Sequence, residues 1–232
     1  MSQVQAWVRR AFWDVVPRDH RDTQRALRRR QVVVVVFTLV GAVVLGLSLR
    51  IEPGDPAFYP ATFGLAAVWV VGALLSGRLH LGRTVRREAE VRPWGLPIAV
   101  GLGLALVFVV GGLVLREIPF VVDQVRTVLD HADQGNLVLL VVITAVNGVA
   151  EELFFRGAVY AAITRYPVVW SSVAYFVATL ATGNVMLSFA AIVLGVLVGL
   201  QRRASGGILA PILTHVSWSL SMLVVLPLVF VA

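Results

Sequence analysis

Two adjacent glutamates and an arginine lie inside an apolar stretch of the chain, between Asn136 and Thr164. They are Glu151, Glu152 and Arg156. A charged side chain at the centre of a bilayer costs about 2.5–3.5 kcal/mol on insertion scales, so such residues are candidates for function. On a helix, Glu152 and Arg156 are four residues apart and can pair, which leaves Glu151 without a partner on its own helix. An unpaired buried carboxylate of this kind is a candidate general base.

Polar residues in two later apolar runs are expected at a similar depth. With a rise of about 1.5 Å per residue, Glu151 lies about 21 Å from the arginine-bearing end of its span. On the same scale Thr179 and Ser219 come at about 20 and 21 Å, while Tyr175 and His215 come at about 14 and 15 Å. This coincidence favours one shared polar site. The alternative is a packing network of two pairs, Glu152–Arg156 and Glu151–His215, that only fixes the register of the helices.

The composition is that of a membrane protein. Of the 232 residues, 58% are hydrophobic and 14% are charged, and the mean hydropathy is +0.85, which is far from a soluble domain. The absence of cysteine excludes disulfides and thiolate metal ligands. The net charge of +7 comes from arginines in short loops beside apolar runs, where they contact lipid headgroups. We therefore expect membrane lipid, and no nucleic acid, as a partner.

The apolar runs predict an all-α, polytopic bundle of about seven transmembrane helices. Two of the runs have about 16 residues and are marginal for crossing the bilayer. The basic segment 1–30 has apolar residues at helical spacing, which indicates a helix in the membrane interface or packed on the bundle's own cytoplasmic face. The runs are approximately 31–49, 58–76, 94–115, 137–164, 167–182, 184–200 and 206–230.

Loop charges predict the orientation of these spans. Segment 1–30 carries eight arginines, whereas loop 116–136 has four acids against two arginines. By the positive-inside rule the N-terminus is cytoplasmic and, with an odd number of spans, the C-terminus is external. We expect a multi-pass protein of the plasma membrane, with a short helix on the outer surface in loop 116–136.

Residues 94–225 resemble the CPBP (ABI) family of intramembrane CAAX-type proteases. The family's Glu-Glu-x-x-x-Arg motif is matched by Glu151, Glu152 and Arg156, followed by Gly157. The resemblance implies the intramembrane CAAX-protease fold over residues 94–232. It leaves segment 1–30 and a region of two spans and a basic loop, 31–93, outside that domain.

The two later family motifs are matched only in part. The motif Phe-x-x-x-His corresponds to Tyr175 and Thr179, and the motif His-x-x-x-Asn corresponds to His215 and Ser219. Thr179 and Ser219 thus place hydroxyls where the family has an imidazole and an amide. A hydroxyl can donate a hydrogen bond, but it cannot replace histidine as a base or a metal ligand at neutral pH.

The resemblance also implies roles for these residues. The first glutamate of the family activates a water for attack on a peptide carbonyl, so Glu151 would be the base. Glu152 with Arg156 would hold the structure, and His215 would stabilise the oxyanion or handle protons. With only Glu151 and His215 left as good ligands, we expect no cofactor, zinc included.

These residues predict an endopeptidase-like protein that hydrolyses a membrane-associated or prenylated peptide, with Thr179 and Ser219 as substituted site residues. Two other functions stay open. A non-catalytic relative would keep the cavity and bind a lipidated peptide, a lipid chain or a partner membrane protein. A proton-coupled transporter would use Glu151 and His215 as a relay, although the chain has no internal repeat of the kind that transporters show.

The orientation can be tested because the chain lacks cysteine. Single Arg86→Cys and Asp130→Cys variants are treated on intact cells with a membrane-impermeant maleimide. We expect labelling at 130 and not at 86, and labelling of both after permeabilisation. Labelling at 86 on intact cells would reverse the orientation.

Overall fold

The computed structural model describes residues 2–15, 22–86 and 89–230, and most of them are helical. Two short strands between α3 and α4, β1 (Thr84–Arg86) and β2 (Ala89–Val91), pair antiparallel. The helices are α1 (Gln3–Phe12), α2 (Gln24–Ser48), α3 (Phe58–Ser76), α4 (Gly95–Leu115), α5 (Pro119–Asp133), α6 (Leu137–Glu151), a π-helix (Glu152–Val159), α7 (Tyr160–Ala162), α8 (Pro167–Leu180), α9 (Val185–Ser205) and α10 (Leu209–Phe230).

The predicted all-α membrane bundle is confirmed, but the part of the chain that the structure describes has six candidate spans where about seven were predicted. Among the described residues, six helical segments are long and apolar enough to cross a membrane. The α6–π–α7 run, Leu137–Ala162, forms one of them, and α2, α3, α4, α9 and α10 form the others. The 14 residues of α8 rise only about 21 Å and fall short of a full span. The protein is therefore a multi-pass membrane protein with one short apolar helix inside the bundle.

Helix α5 closes one end of the bundle, as predicted for a short helix in loop 116–136. Asn184, just after α8, donates from its amide nitrogen to the Gln124 carbonyl at 2.6 Å and to the Thr127 hydroxyl at 2.9 Å. On the other side of α5, a ring nitrogen of His131 lies 2.9 Å from the carbonyl oxygen of Ile51, at the end of α2.

The core lies where α2 and α3 pack against the π-helix. Trp69 of α3 is 1% exposed, and its ring lies 4.8 Å from that of Phe154 and 5.1 Å from that of Phe155. Val34 of α2 and Leu65 of α3 belong to the same buried cluster. The two N-terminal spans thus form one hydrophobic core with the segment that carries the glutamates.

Two stretches of backbone cross closely at the end of the bundle opposite α5. The amide of Ile208 donates to the His80 carbonyl, and the amide of Arg83 donates to the Ser205 carbonyl. A Cβ on Gly82, whose φ is +83°, would lie 2.6 Å from the nitrogen of Gly207. This crossing, between residues 80–83 and 205–209, requires glycine on both sides because a Cβ on either glycine would strike backbone atoms.

Helix α1 packs on this same end, which is one of the two arrangements predicted for segment 1–30. Ala11 is buried, and Arg203 of α9 donates to the Phe12 carbonyl at 3.3 Å. Val4 and Trp13 remain 70% and 60% exposed, so part of the apolar surface of α1 is also free for the membrane interface. Residues 16–21 of the predicted segment lie outside the described part of the chain.

Candidate active site

The site begins where α6 changes into the π-helix. Glu151 is the last α-helical residue and Glu152 is the first residue of the π-helix, which ends at Val159. The sequence predicts one continuous span over 137–164, and its apolar periodicity gives no sign of this change. A π-helix bonds each amide to the carbonyl five residues earlier and often marks functional positions in helices.

The predicted ion pair between Glu152 and Arg156 is present and fully buried. Arg156 Nη1 donates to Glu152 Oε1 at 3.1 Å, and both side chains are 0% exposed. The same oxygen lies 2.8 Å from His215 Nδ1 of α10. A carboxylate at this position accepts from both neighbours, so Glu152 joins the π-helix to α10.

Arg156 is enclosed by two further helices. Its guanidinium lies 4.7 Å from the ring centroid of Tyr175 in α8, a cation–π contact. A Cβ on Gly195 of α9 would lie 3.2 Å from Arg156 Nη2 and 3.4 Å from Ser172 Cβ. Gly195 and Gly199 thus form a small-residue face of α9 that packs against α8 and leaves room for the guanidinium.

Glu151 has a partner that the sequence did not predict. Its Oε2 accepts a hydrogen bond of 2.6 Å from the Tyr175 hydroxyl and lies 3.9 Å from His215 Nε2. Its side chain is 16% exposed, whereas that of Glu152 is 0% exposed. The carboxylate that lacks a partner on its own helix is thus held from α8, and it is the more accessible of the two.

His215 is therefore shared between the two glutamates, but unequally. The packing network considered from the sequence paired it with Glu151. The structure instead places its hydrogen bond on Glu152, at 2.8 Å against 3.9 Å for the nearest Glu151 contact. With Nδ1 engaged by Glu152, Nε2 is the ring nitrogen that faces Glu151.

The hydroxyls of Thr179 and Ser219 turn towards their own helices. Thr179 donates to the Tyr175 carbonyl at 2.9 Å, and Ser219 donates to the Val216 carbonyl at 3.3 Å. The structure therefore brings Glu151 together with Tyr175 and His215. Thr179, predicted at the same depth as Glu151, lies one turn further along α8 than the tyrosine that makes the contact.

The π-helix explains why the estimated depths were too large for Glu151. Eight of the residues between Glu151 and the end of its span are in the π-helix, which has more residues per turn and a smaller rise per residue than an α-helix. Glu151 therefore lies nearer to the arginine-bearing end than a rise of about 1.5 Å per residue predicts.

Tyr175 is the site residue that sequence reasoning missed. The sequence indicates Tyr175 only as a polar residue at about the depth of His215 and as the aromatic position of the second motif. The sequence feature that could have indicated its role is the hydroxyl, since the phenylalanine that the family has at this position cannot donate a hydrogen bond.

The donor set does not fit a zinc ion. Zinc sites in enzymes use three protein ligands and one open position. Here His215 Nδ1 is bound to Glu152, the hydroxyl of Thr179 is bound to its own helix, and Glu152 Oε1 is shared with Arg156. In the part of the chain that the structure describes, no group of three or more histidine, aspartate or glutamate side chains is arranged to hold a metal ion.

The shared carboxylate gives a stability prediction. Arg156→Ala leaves Glu152 buried without its cation, a change that typically costs about 3–5 kcal/mol. We expect a lower melting temperature in detergent and a lower yield. Replacing the pair together, Glu152→Gln with Arg156→Met, recovers part of the loss because no charge is left uncompensated.

The matched control is Arg116→Ala, which removes an arginine from an exposed ion pair with Glu117. Exposed pairs contribute little, so its melting temperature should stay close to that of the native chain. An unchanged melting temperature in Arg156→Ala would contradict the structural role of the buried pair.

The comparisons with known proteins agree with the motifs. Residues 133–221 match the family model described as type II CAAX prenyl endopeptidase Rce1-like. No curated protein and no solved structure matches the chain. The matched segment runs from the end of α5 into α10 and includes every residue of the site. This match supports the resemblance of residues 133–221 to the CPBP family of intramembrane CAAX-type proteases.

Proposed function

We propose that the protein is an intramembrane endopeptidase that hydrolyses a membrane-associated or prenylated peptide, with Glu151 as the general base. The observation that carries the proposal is the difference between the two glutamates. Glu152 is fully buried and is bound through Oε1 to Arg156 and His215, whereas Glu151 is partly accessible and has a histidine nitrogen beside it. A base must reach the water whose proton it takes, and only Glu151 can do so.

The proposed reaction uses the chain's own side chains. Glu151 takes a proton from water as the water oxygen attacks the peptide carbonyl, and it then gives this proton to the leaving nitrogen. His215, held through Nδ1 by Glu152, donates Nε2–H in its imidazolium form to the oxyanion that develops on the carbonyl oxygen. Glu152 orients the imidazole through Nδ1, as a buried carboxylate does in a catalytic triad.

The donor set supports a mechanism without a resident metal ion. Glu151 Oε2 and His215 Nε2 are the two groups that face each other in the site. Two protein ligands are one fewer than catalytic zinc sites use. The water in this proposal is therefore activated by the carboxylate alone.

A lateral groove supports an apolar chain on the substrate. It has a volume of about 400 Å³ and lies between α2 and α8. One wall is formed by Val34, Val35 and Leu39, and the other includes Trp170 and Ala174. Ala174 directly precedes Tyr175, whose hydroxyl holds Glu151. A prenyl group in this groove would place the attached peptide beside the base.

The proposed location follows from the loop charges. The groove and the crossing at residues 80–83 lie towards the arginine-bearing end of the bundle, which the positive-inside rule assigns to the cytoplasm. We propose that the protein lies in the plasma membrane with its N-terminus cytoplasmic and that it takes substrate from the cytoplasmic leaflet.

One observation favours a second function, a non-catalytic relative that binds a lipidated peptide. The hydroxyls of Thr179 and Ser219 make their hydrogen bonds within their own helices. They therefore supply no hydrogen bond to Glu151 or His215. A chain with this arrangement would keep the groove and lose part of the catalytic machinery.

The proposed base is tested in liposomes with a fluorogenic prenylated peptide. Glu151→Gln keeps the size of the side chain but removes the base, and we expect it to abolish cleavage while leaving the melting temperature equal or higher. Restoring the family residues, Thr179→His with Ser219→Asn, should raise the rate by about 10²-fold, the effect of regaining one acid–base or oxyanion group.

Two results would overturn the proposal. Cleavage by Glu151→Gln at the native rate would show that Glu151 is not the base. If neither the native nor the restored chain cleaves while both bind the prenylated peptide, the non-catalytic function replaces the enzyme.

The groove is tested with two neighbouring residues of α2. Val35 lines the groove and is 59% exposed, whereas Val36 is 49% exposed and does not line it. Val35→Trp should raise KM for the prenylated peptide about 10-fold with little change in kcat, because the ring fills space that the prenyl group needs. Val36→Trp should leave both constants near native values, and equal effects of the two variants would rule the groove out as the prenyl site.

A further inference from the structure

We infer that Tyr175 is a positioning residue for Glu151 and that it replaces the missing histidine of the second family motif. The inference rests on the proposed function and adds a residue to it. Its basis is the hydrogen bond of 2.6 Å from the Tyr175 hydroxyl to Glu151 Oε2, which joins α8 to the end of α6. A hydrogen bond to an ionised oxygen is stronger than one between neutral groups, which suits it to holding a side chain in place.

The tyrosine ring is fixed by its surroundings. It is 9% exposed, and its centroid lies 4.9 Å from that of Phe155 and 4.7 Å from the guanidinium carbon of Arg156. The ring of His215 lies 6.5 Å away on the same side as Glu151. Because these three neighbours restrict the ring, the Tyr175 hydroxyl can point only towards the Glu151 carboxylate.

Two departures from the family pattern occur one helical turn apart. Position 175 gains a hydroxyl in place of a phenyl hydrogen, and position 179 loses an imidazole. The Thr179 hydroxyl bonds to the carbonyl of Tyr175 and is therefore turned away from Glu151. The hydrogen-bond donor on α8 has thus moved from residue 179 to residue 175, and it still reaches the base.

The two oxygens of Glu151 then have different tasks. Oε2 is held by Tyr175 and faces His215 Nε2 at 3.9 Å, which fixes the rotation of the carboxylate. Oε1 takes the proton from the attacking water. Without the tyrosine hydroxyl the carboxylate can rotate, and a misplacement of about 1 Å at a reacting group can cost about 10² in rate.

The experiment compares Tyr175→Phe with the native chain in the liposome assay. We expect kcat to fall about 10- to 10²-fold while KM changes less than about twofold, because substrate binding in the groove does not use this hydroxyl. Tyr175→Phe with Thr179→His creates the family pair and should recover most of the loss. The matched control is Tyr59→Phe, which removes a similar hydroxyl contact, to the amide of Asn136 at the α5 end, and should leave kcat unchanged.

Infrared spectroscopy follows the hydrogen bond directly. The carboxylate bands of Glu151 are assigned by their loss in Glu151→Gln, and we expect them to shift in Tyr175→Phe and not in Tyr59→Phe. Bands that stay in place in Tyr175→Phe would overturn the inference, as would a native kcat in that variant.

The kinetic outcomes separate the inference from the proposed function. A native chain that cleaves, a Glu151→Gln variant that does not, and a Tyr175→Phe variant with native kcat would overturn the inference alone. Equal rates in the native chain and Glu151→Gln would overturn the proposed function, and with it the role of Tyr175.

Discussion

One carboxylate oxygen, Oε1 of Glu152, determines how the helices around the site are placed. It is fully buried and accepts from Arg156 while lying 2.8 Å from His215 Nδ1. In a membrane interior an uncompensated charge is costly, so these groups are stable only together. Because Arg156 also packs on the ring of Tyr175, the same ion pair restricts α8. The π-helix, α8 and α10 are thereby fixed relative to one another by a single charged group.

The change from α-helix to π-helix gives two neighbouring glutamates different environments. Glu151 ends the α-helix and is partly accessible, whereas Glu152 starts the π-helix and has no exposed surface. One carboxylate can then hold the structure while the other remains able to meet a water. Separating the two tasks matters because a carboxylate buried away from water, as Glu152 is, cannot take a proton from a water molecule.

The sequence predicted the bundle, the approximate positions of its apolar helices, and the pair Glu152–Arg156. These rest on hydropathy and on spacing within one helix, which are local properties. It did not predict the π-helix, because the apolar periodicity of 3.6 residues identifies an α-helix and does not reveal a short π-helical segment within it. It also did not predict the bond from Tyr175 to Glu151, since contacts between helices depend on rotation and depth.

The crossing at Gly82 and Gly207 has a consequence for evolution among relatives. Residues 205–209 run from the end of α9 into the start of α10, and their amides and carbonyls bond to residues 80–83. The Thr214 hydroxyl, beside His215, donates to the Pro97 carbonyl of α4 at 2.8 Å. The imidazole is therefore held in place partly by residues upstream of the segment 133–221 that the family shares. A relative that has this segment with a different N-terminal half needs other residues to support the turn before its last helix. We therefore expect substitutions in the two halves to be correlated among relatives.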